Sequence, residues 1–495
     1  MTHSKPFFYI ARLVLETCTP LSIASGRTDG IADNLIVRDV NGLPAIPGSS
    51  FAGVLRHAYQ RLCDPGKKDA IYTNALFGTD KQAPEGERTG EPSYVHVSWG
   101  CLHDKTDKPI EGLLDPNDSR WENDEIIKDA LQSSPIRREH VKLNHRGVSD
   151  AKQQGKFDRT SLTTGHRFSI ELSLWSHEEN DPCWKKLLDL IKRPDFRLGG
   201  GTRRGLGKLK IVRCYTGEFN LSENDNFNKF SELSQSLADI KSLQILRELE
   251  PQDELQTIKL NLTPLDGYRF GGGTKHLIEN GQADMLAVTE NCVTWENSQG
   301  AITEKKQIVI PASSVKGALS HRVAYHYNLL SGIFADKELN NPDTALEDVK
   351  KYVGENNEAV KALFGFVNEE TEKAQMGSLI FDDVYLATED KQITEYTHNS
   401  IDRFTGGVRD GALFSEEVIT DNQPFSLDIT IVSSLNENSK EWENLTKAEK
   451  EEKRANIWKS LQFAINDLLK GRLSLGAAGG RGGYGYFKGK WQECK

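Results

Sequence analysis

Cysteine is scarce and scattered in this chain. The seven thiols, Cys18, Cys63, Cys101, Cys183, Cys214, Cys292 and Cys494, are odd in number, lie far apart and include no Cys-x-x-Cys pair. Neither a disulfide framework nor a cysteine-held zinc site fits that spacing. Long apolar runs are missing too. No stretch approaches the ~20 residues a bilayer span requires, and Met1 to Tyr9 carries a lysine but no extended apolar segment, so the chain reads as cytoplasmic with no membrane partner. An excess of positive charge is also absent. The formal net charge of -10 argues in bulk against nucleic-acid binding, because phosphates are met by Lys and Arg. What decides the matter is where the basic residues collect.

What is present is ordinary globular material: 37% hydrophobic and 27% charged residues over 495 positions, too many for one core. The division is visible as a repeat. An alternating run, Tyr9-Ile-Ala-Arg-Leu-Val-Leu-Glu16, then Pro20 and a loop with Gly26 and Gly30, is matched by Ile258-Lys-Leu-Asn-Leu262, Pro264 and Gly271-Gly-Gly273. Ile46-Pro-Gly-Ser-Ser50 leads into Val54-Leu-Arg-His-Ala58, as Ile310-Pro-Ala-Ser-Ser314 leads into Val315-Lys-Gly-Ala-Leu319. Ala75-Leu-Phe-Gly78 then answers Ala362-Leu-Phe-Gly365, and each half closes on a glycine-rich basic loop, Leu198 to Gly207 and Leu475 to Gly485. Four landmarks in one order predict two modules, residues 1–216 and 255–495. The polar, acidic, helix-flavoured stretch 217–254 is read as a linker. The charged run from Asn436 to Arg454 reads as a solvated helix face.

Each landmark has a chemical use and a plainer structural one. Glycines around Arg203, Arg204 and Arg481 let backbone N–H groups approach a ligand, and arginine offers a planar fork for phosphate. Ser49 and Ser50, and Ser313 and Ser314, are expected to cap helices whose first N–H groups and positive dipole ends face anions, with Arg56 and Lys316 adding charge. Taken singly, these are a hairpin loop and a capped helix. Between tetrad and glycine loop stands Ile401-Asp-Arg-Phe-Thr-Gly-Gly-Val-Arg-Asp-Gly-Ala-Leu-Phe414, which puts Phe404 between Arg403 and Arg409 on a glycine-bearing hairpin. Its weaker counterpart is Val141 to Asp150, with Arg146. Aromatic and basic residues interleaved in this way suit a loop lying on a nucleic-acid strand.

Taken together, the Ile-Pro-Gly-Ser-Ser helix start, the Leu-Phe-Gly tetrad, the Ile401 to Phe414 segment and the terminal glycine loop resemble the RAMP superfamily, in particular the backbone subunits of type III CRISPR effector complexes. The resemblance covers nearly the whole chain outside the linker and a few insertions. It implies an α+β fold of two tandem ferredoxin-like (RRM-related) modules, each with a thumb hairpin. It also implies a guide RNA, a complementary target RNA and neighbouring effector subunits as partners.

Within such a family the target is often cut by an aspartate in the loop before the Ile-Pro-Gly-Ser-Ser motif. Registration points to Asp33, with Asp29 its competitor, and to Asp284 in the second module, where an insert leaves Glu279 and Glu290 as alternatives. Both aspartates would hold a divalent metal, expected to be Mg2+. Two other readings stand beside this one: a purely structural RNA-binding subunit, and a metal-independent guide-processing ribonuclease using His57, His140 or His145.

Overall fold

The computed structural model describes residues 5–28, 34–62, 76–82, 88–132, 136–144, 147–149, 155–249, 255–334, 349–368, 373–389, 391–432, 435, 440–477 and 483–494. In the first half, strand β1 (Phe7–Thr17) is followed by helix α1 (Gly48–Leu62), strand β2 (Val95–Val97), a hairpin of β3 (Ile136–Val141) and β4 (Lys156–Ser161), strand β5 (Arg167–Ser176), helix α2 (Pro182–Lys192) and strand β6 (Leu209–Asn220). These strands pair antiparallel in the order β6-β1-β5-β2. The chain order β-α-β-β-α-β with the first strand central defines the ferredoxin-like fold.

The second half repeats the plan. Helix α3 (Asn224–Ser231) connects to β7 (Thr257–Pro264); then come β8 (Thr289–Glu290), β9 (Gln307–Ile310), α4 (Ala312–Leu330), β10 (Leu379–Phe381), β11 (Val384–Leu386), the hairpin β12 (Ile393–His398) and β13 (Phe414–Ile419), β14 (Phe425–Ile431), α5 (Lys447–Leu469) and β15 (Phe487–Cys494). Its main sheet runs β10-β14-β7-β15, the same order read from the other edge. A small second sheet, β8-β9-β11, leads straight into α4. The chain is therefore an α+β protein of two tandem ferredoxin-like modules, each with an inserted hairpin. Helix α5 starts from a capping box of Thr446 and Glu449, and its charged first turns stay largely exposed up to Arg454.

Strand alternation explains how each sheet is covered. Tyr9, Ala11, Leu13 and Leu15 face the helices of the first module, and Ile258, Leu260 and Leu262 those of the second. The opposite face of β7 carries Thr257, Lys259 and Asn261 and tolerates water. That of β1 carries Phe8 and Ile10, which does not. Phe230, Leu233 and Leu243 cover it, and residues 244–245 pair with the edge of β6. Residues 217–249 thus extend and roof the first sheet. The expected linker is corrected accordingly, because an apolar open face must be buried.

A second correction concerns the helix starts. Helix α4 begins at Ala312 with Pro311 at its N-cap and no side-chain cap, so Ser313 and Ser314 lie inside the first turn. In α1, the Pro47 carbonyl accepts from Ser50 and Phe51, which places Ser49 and Ser50 in that first turn too. Proline supplies the entry geometry. At α4 a carboxylate from the connection between β10 and β11 then takes a leading N–H: Ala312 donates to Asp383 Oδ1 at 2.7 Å.

Candidate nucleic-acid interface

The glycine loop of the first module ends as a short turn, Thr202–Arg204, flanked by Gly201 and Gly205 in the left-handed region (φ +74° and +97°). Those two conformations fold the loop back so that the turn packs against β10 and the start of α4 in the second module. A side chain at Gly205 would run into Asp383 and Ala312. The loop can therefore approach the helix only as glycine.

Cations from both modules meet at this seam. Burial, then Arg204 and Arg203, push the Lys316 ammonium on α4 down to about 8, while its Nζ donates to the Phe364 carbonyl at 2.9 Å. Burial and Arg61 bring Arg203 down to about 10, and burial with Arg159 lowers Arg204. His57 on α1 is lowered by burial, Arg61 and Arg203. Asp195 pairs with Arg61 and Arg193, and Glu355 lies near Lys316, but the cluster remains in excess. Among the described residues no acceptor reaches Arg159 Nε or Arg203 Nη1. A set of half-buried cations that raise one another's energy is a site that a polyanion would relax.

The hairpin supports the loop. His140 stacks on Phe157 across β3 and β4 with ring centroids 5.1 Å apart, and the Arg204 guanidinium lies 5.4 Å from the Phe157 centroid. Burial, with Arg204, Arg138 and Arg159 nearby, pushes the His140 imidazole down to about 4, so it is neutral near pH 7. The second hairpin repeats the pair: His398 stacks on Phe414 at 5.1 Å, here with Glu416 Oε1 2.7 Å from its Nε2. This cross-strand histidine–phenylalanine pair is a repeat the sequence comparison missed. Its signal is one histidine near the end of the first hairpin strand and one phenylalanine near the start of the second.

Beyond the second pair, the 399–413 loop turns on Asp402, whose carboxylate accepts from the N–H groups of Phe404 and Thr405. That turn leaves Phe404 97% exposed, with Arg403 and Arg409 also exposed beside it. An apolar ring so presented has no packing role in the free chain.

The RAMP superfamily model matches residues 14–210 and again 296–488. The chain belongs to the RAMP superfamily. Over an alignment of 236 residues the chain is also 26% identical to the CRISPR system Cms endoribonuclease Csm3 of Methanocaldococcus jannaschii, with 43% of this chain and 82% of that protein covered. This RAMP chain carries the family region twice.

Of the residues expected to act, the structure brings Arg203, Arg204 and Lys316 together at the seam. Arg56 lies half-buried on α1, and Arg403, Phe404 and Arg409 stand apart on the second hairpin. Asp33, Arg146 and Arg481, with the alternatives Asp29 and His145, lie outside the described residues. Asp284 is exposed beside the loop end of the second hairpin ladder, its Oδ2 accepting from Ser415 N at 2.8 Å and from Ser415 Oγ at 3.3 Å. Of its competitors, Glu290 is excluded because it is buried in ion pairs with Arg138. Among the described residues no group of three or more His, Cys, Asp or Glu side chains is placed to hold a metal ion, around Asp284 or elsewhere. Missed by sequence reasoning were Arg138, Arg159 and the acid pair Asp382 and Asp383. Two consecutive acids at the end of an apolar strand were the available signal.

Proposed function

We propose that this chain is a guide-RNA-binding backbone subunit of a type III CRISPR effector complex, working with a complementary target RNA and neighbouring subunits, and that Asp33 and Asp284 cut the guide-paired target. The observation that carries the reading is the under-compensated cation cluster of Arg203, Arg204, Arg159 and Lys316 at the seam of two RNA-binding-type modules. It suits phosphates and lacks any pattern for reading bases, as a guide-sequence-independent scaffold requires. The similarity to a protein named as a CRISPR endoribonuclease supports the same direction. Phe404, presented between two arginines, fits a hairpin that wedges into a guide–target duplex.

One observation favours a scaffold without chemistry in the second module: the Asp284 carboxylate is already used to hold Ser415. Guide processing by histidine is disfavoured at His140, whose ring is taken up in the stack on Phe157 across the hairpin. The deciding experiment is to purify the chain with its bound RNA, sequence that RNA, and supply a complementary strand. Short RNAs sharing a repeat-derived end, and a target cut at fixed spacing, are the expected outcome. Random cellular RNA would overturn the guide assignment. An intact target would leave the scaffold reading.

A further inference from the structure

The seam carries a second set of charges, which pair with one another across it. Arg138 on β3 is buried, with Nε and Nη2 on the two Glu290 oxygens at 2.6 and 2.8 Å and Nη1 on Asp383 Oδ2 at 2.6 Å. Alongside, Asp382 accepts from Arg197 Nη2 at 2.5 Å and from Lys208 Nζ at 2.7 Å. All three cations belong to the first module and all three carboxylates to the second. Asp383 also holds the first N–H of α4, so the same acid joins the hairpin of one module to the helix of the other.

The internal repeat shows that this set is private to the seam. With the His140–Phe157 pair registered on His398–Phe414, Arg138 corresponds to Tyr396. The Leu198–Gly207 and Leu475–Gly485 backbone bonds register Arg197 on Ser474 and Lys208 on Tyr486. The bridges Ile46–Gly100 and Ile310–Val384 register Asp382 and Asp383 on Ser98 and Trp99. Glu290 falls on Asp39, whose carboxylate holds its own turn through Asn41 and Leu43. Five of the six positions on the outward faces that correspond to the seam thus carry neutral side chains, and the sixth, Asp39, spends its carboxylate on its own turn.

We propose that these six residues are a register key: charge complementarity that fixes the first module on the second in one position, makes that junction unlike any other these faces could form, and so sets the spacing at which the two hairpins meet RNA. Buried complementary charges contribute specificity more than affinity, and leaving either side unpaired opens the junction. The spacing clause rests on the proposed RNA-binding role. The seam clause does not.

The test is hydrogen exchange on the full chain without RNA. The amides of Val293 and Gly300 donate across the seam, to the Thr164 and Lys105 carbonyls. In Arg138→Met, which keeps bulk but removes the charge, these amides are expected to exchange roughly tenfold faster or more, while the core strands 167–176 and 425–431 keep their parent rates. Unchanged seam exchange would overturn the proposal. Should the core strands also exchange fast, Arg138 is a folding residue, and Asp382→Asn, which removes the partner of Arg197 and Lys208 but spares Arg138, carries the test with the same readout and the same refuting result. On RNA, hydroxyl-radical footprints of the opened variant should lose the fixed phase between the two protected stretches. A sharp, unshifted footprint on an opened seam would overturn the spacing clause. A parent protein that binds no RNA would refute the functional reading and leave the seam result intact.

Discussion

Removing the cations at the seam should weaken RNA binding without weakening the fold. Each phosphate neutralised on a single strand contributes a slope of about -0.7 in log K against log salt, so Arg203, Arg204 and Lys316 together supply about -2. Between 50 and 200 mM salt that is an affinity loss of about 20-fold from these three alone. Replacing Arg204 with Ala and Lys316 with Met should lower the slope by about 1.4. A charge-assisted contact contributes about 1.5–3 kcal/mol, so each substitution should cost roughly 10- to 150-fold at fixed salt. Stability should move the other way or not at all. The folded protein holds Lys316 at about 8 against an ordinary value of 10.5, so its burial is unfavourable throughout the range below pH 8. Lys316→Met removes that cost and one of the mutually repelling charges, and its Tm should be equal to or above that of the parent. The assay is fluorescence anisotropy with a mixed-sequence single-stranded RNA on RNA-free protein at four salt concentrations, paired with calorimetric melting. A double variant with the parent's salt slope would refute the placement of phosphates at the seam. Weaker binding accompanied by a lower Tm would mean the residues are structural.

The same lysine predicts a pH profile: RNA affinity should be flat up to about pH 8 and fall above it as free Lys316 loses its proton, a decline that Lys316→Met should flatten in the same anisotropy assay. Phe404→Ala, at a 97% exposed position, should leave stability within about 0.5 kcal/mol of the parent's yet change reactivity of the target bases opposite the second hairpin, read by chemical probing. Asp33→Ala should abolish one cut in a bound target. Asp284→Asn should abolish the second while keeping the start of β13 in place, whereas Asp284→Ala should also raise exchange at the Ser415 amide, which donates to that carboxylate; two persistent cuts in the Asp33 and Asp284 double variant would sink the catalytic assignment. Lowering the pH from 6.5 towards 4 should destabilise the first hairpin, because His140 is held at about 4 and the unfolded chain takes up the proton first; His140→Phe should remove that acid sensitivity in a melting series.

Features that depend on local backbone geometry were readable from residue order. The two strand–proline–helix starts, the two glycine loops and the glycine-bearing hairpin segment Ile401 to Phe414 all demand particular residue types at fixed offsets, so each leaves a pattern in a short window. Reading the serines of those starts as N-caps failed for a related reason. Proline had already set the entry, and at α4 the carboxylate of Asp383, distant in sequence, took the place the hydroxyl was expected to fill. Long-range pairing left no such pattern. Arg138 meets Glu290 and Asp383 at sequence separations of 152 and 245, and nothing in the local sequence distinguishes this arginine from the exposed Arg137 beside it. His140 and His398 occupy matched hairpin positions, yet arginines surround the one and a glutamate lies beside the other. Residue order by itself thus determined the two modules and the loops that offer phosphate chemistry, because those rest on periodicity and on what glycine, proline and arginine can do locally, while the ferredoxin-like plan came through the family resemblance that the motifs carry. Only the tertiary structure decided which charges are spent in holding the modules together and which are left facing a ligand, since burial and partnership are properties of a position in space.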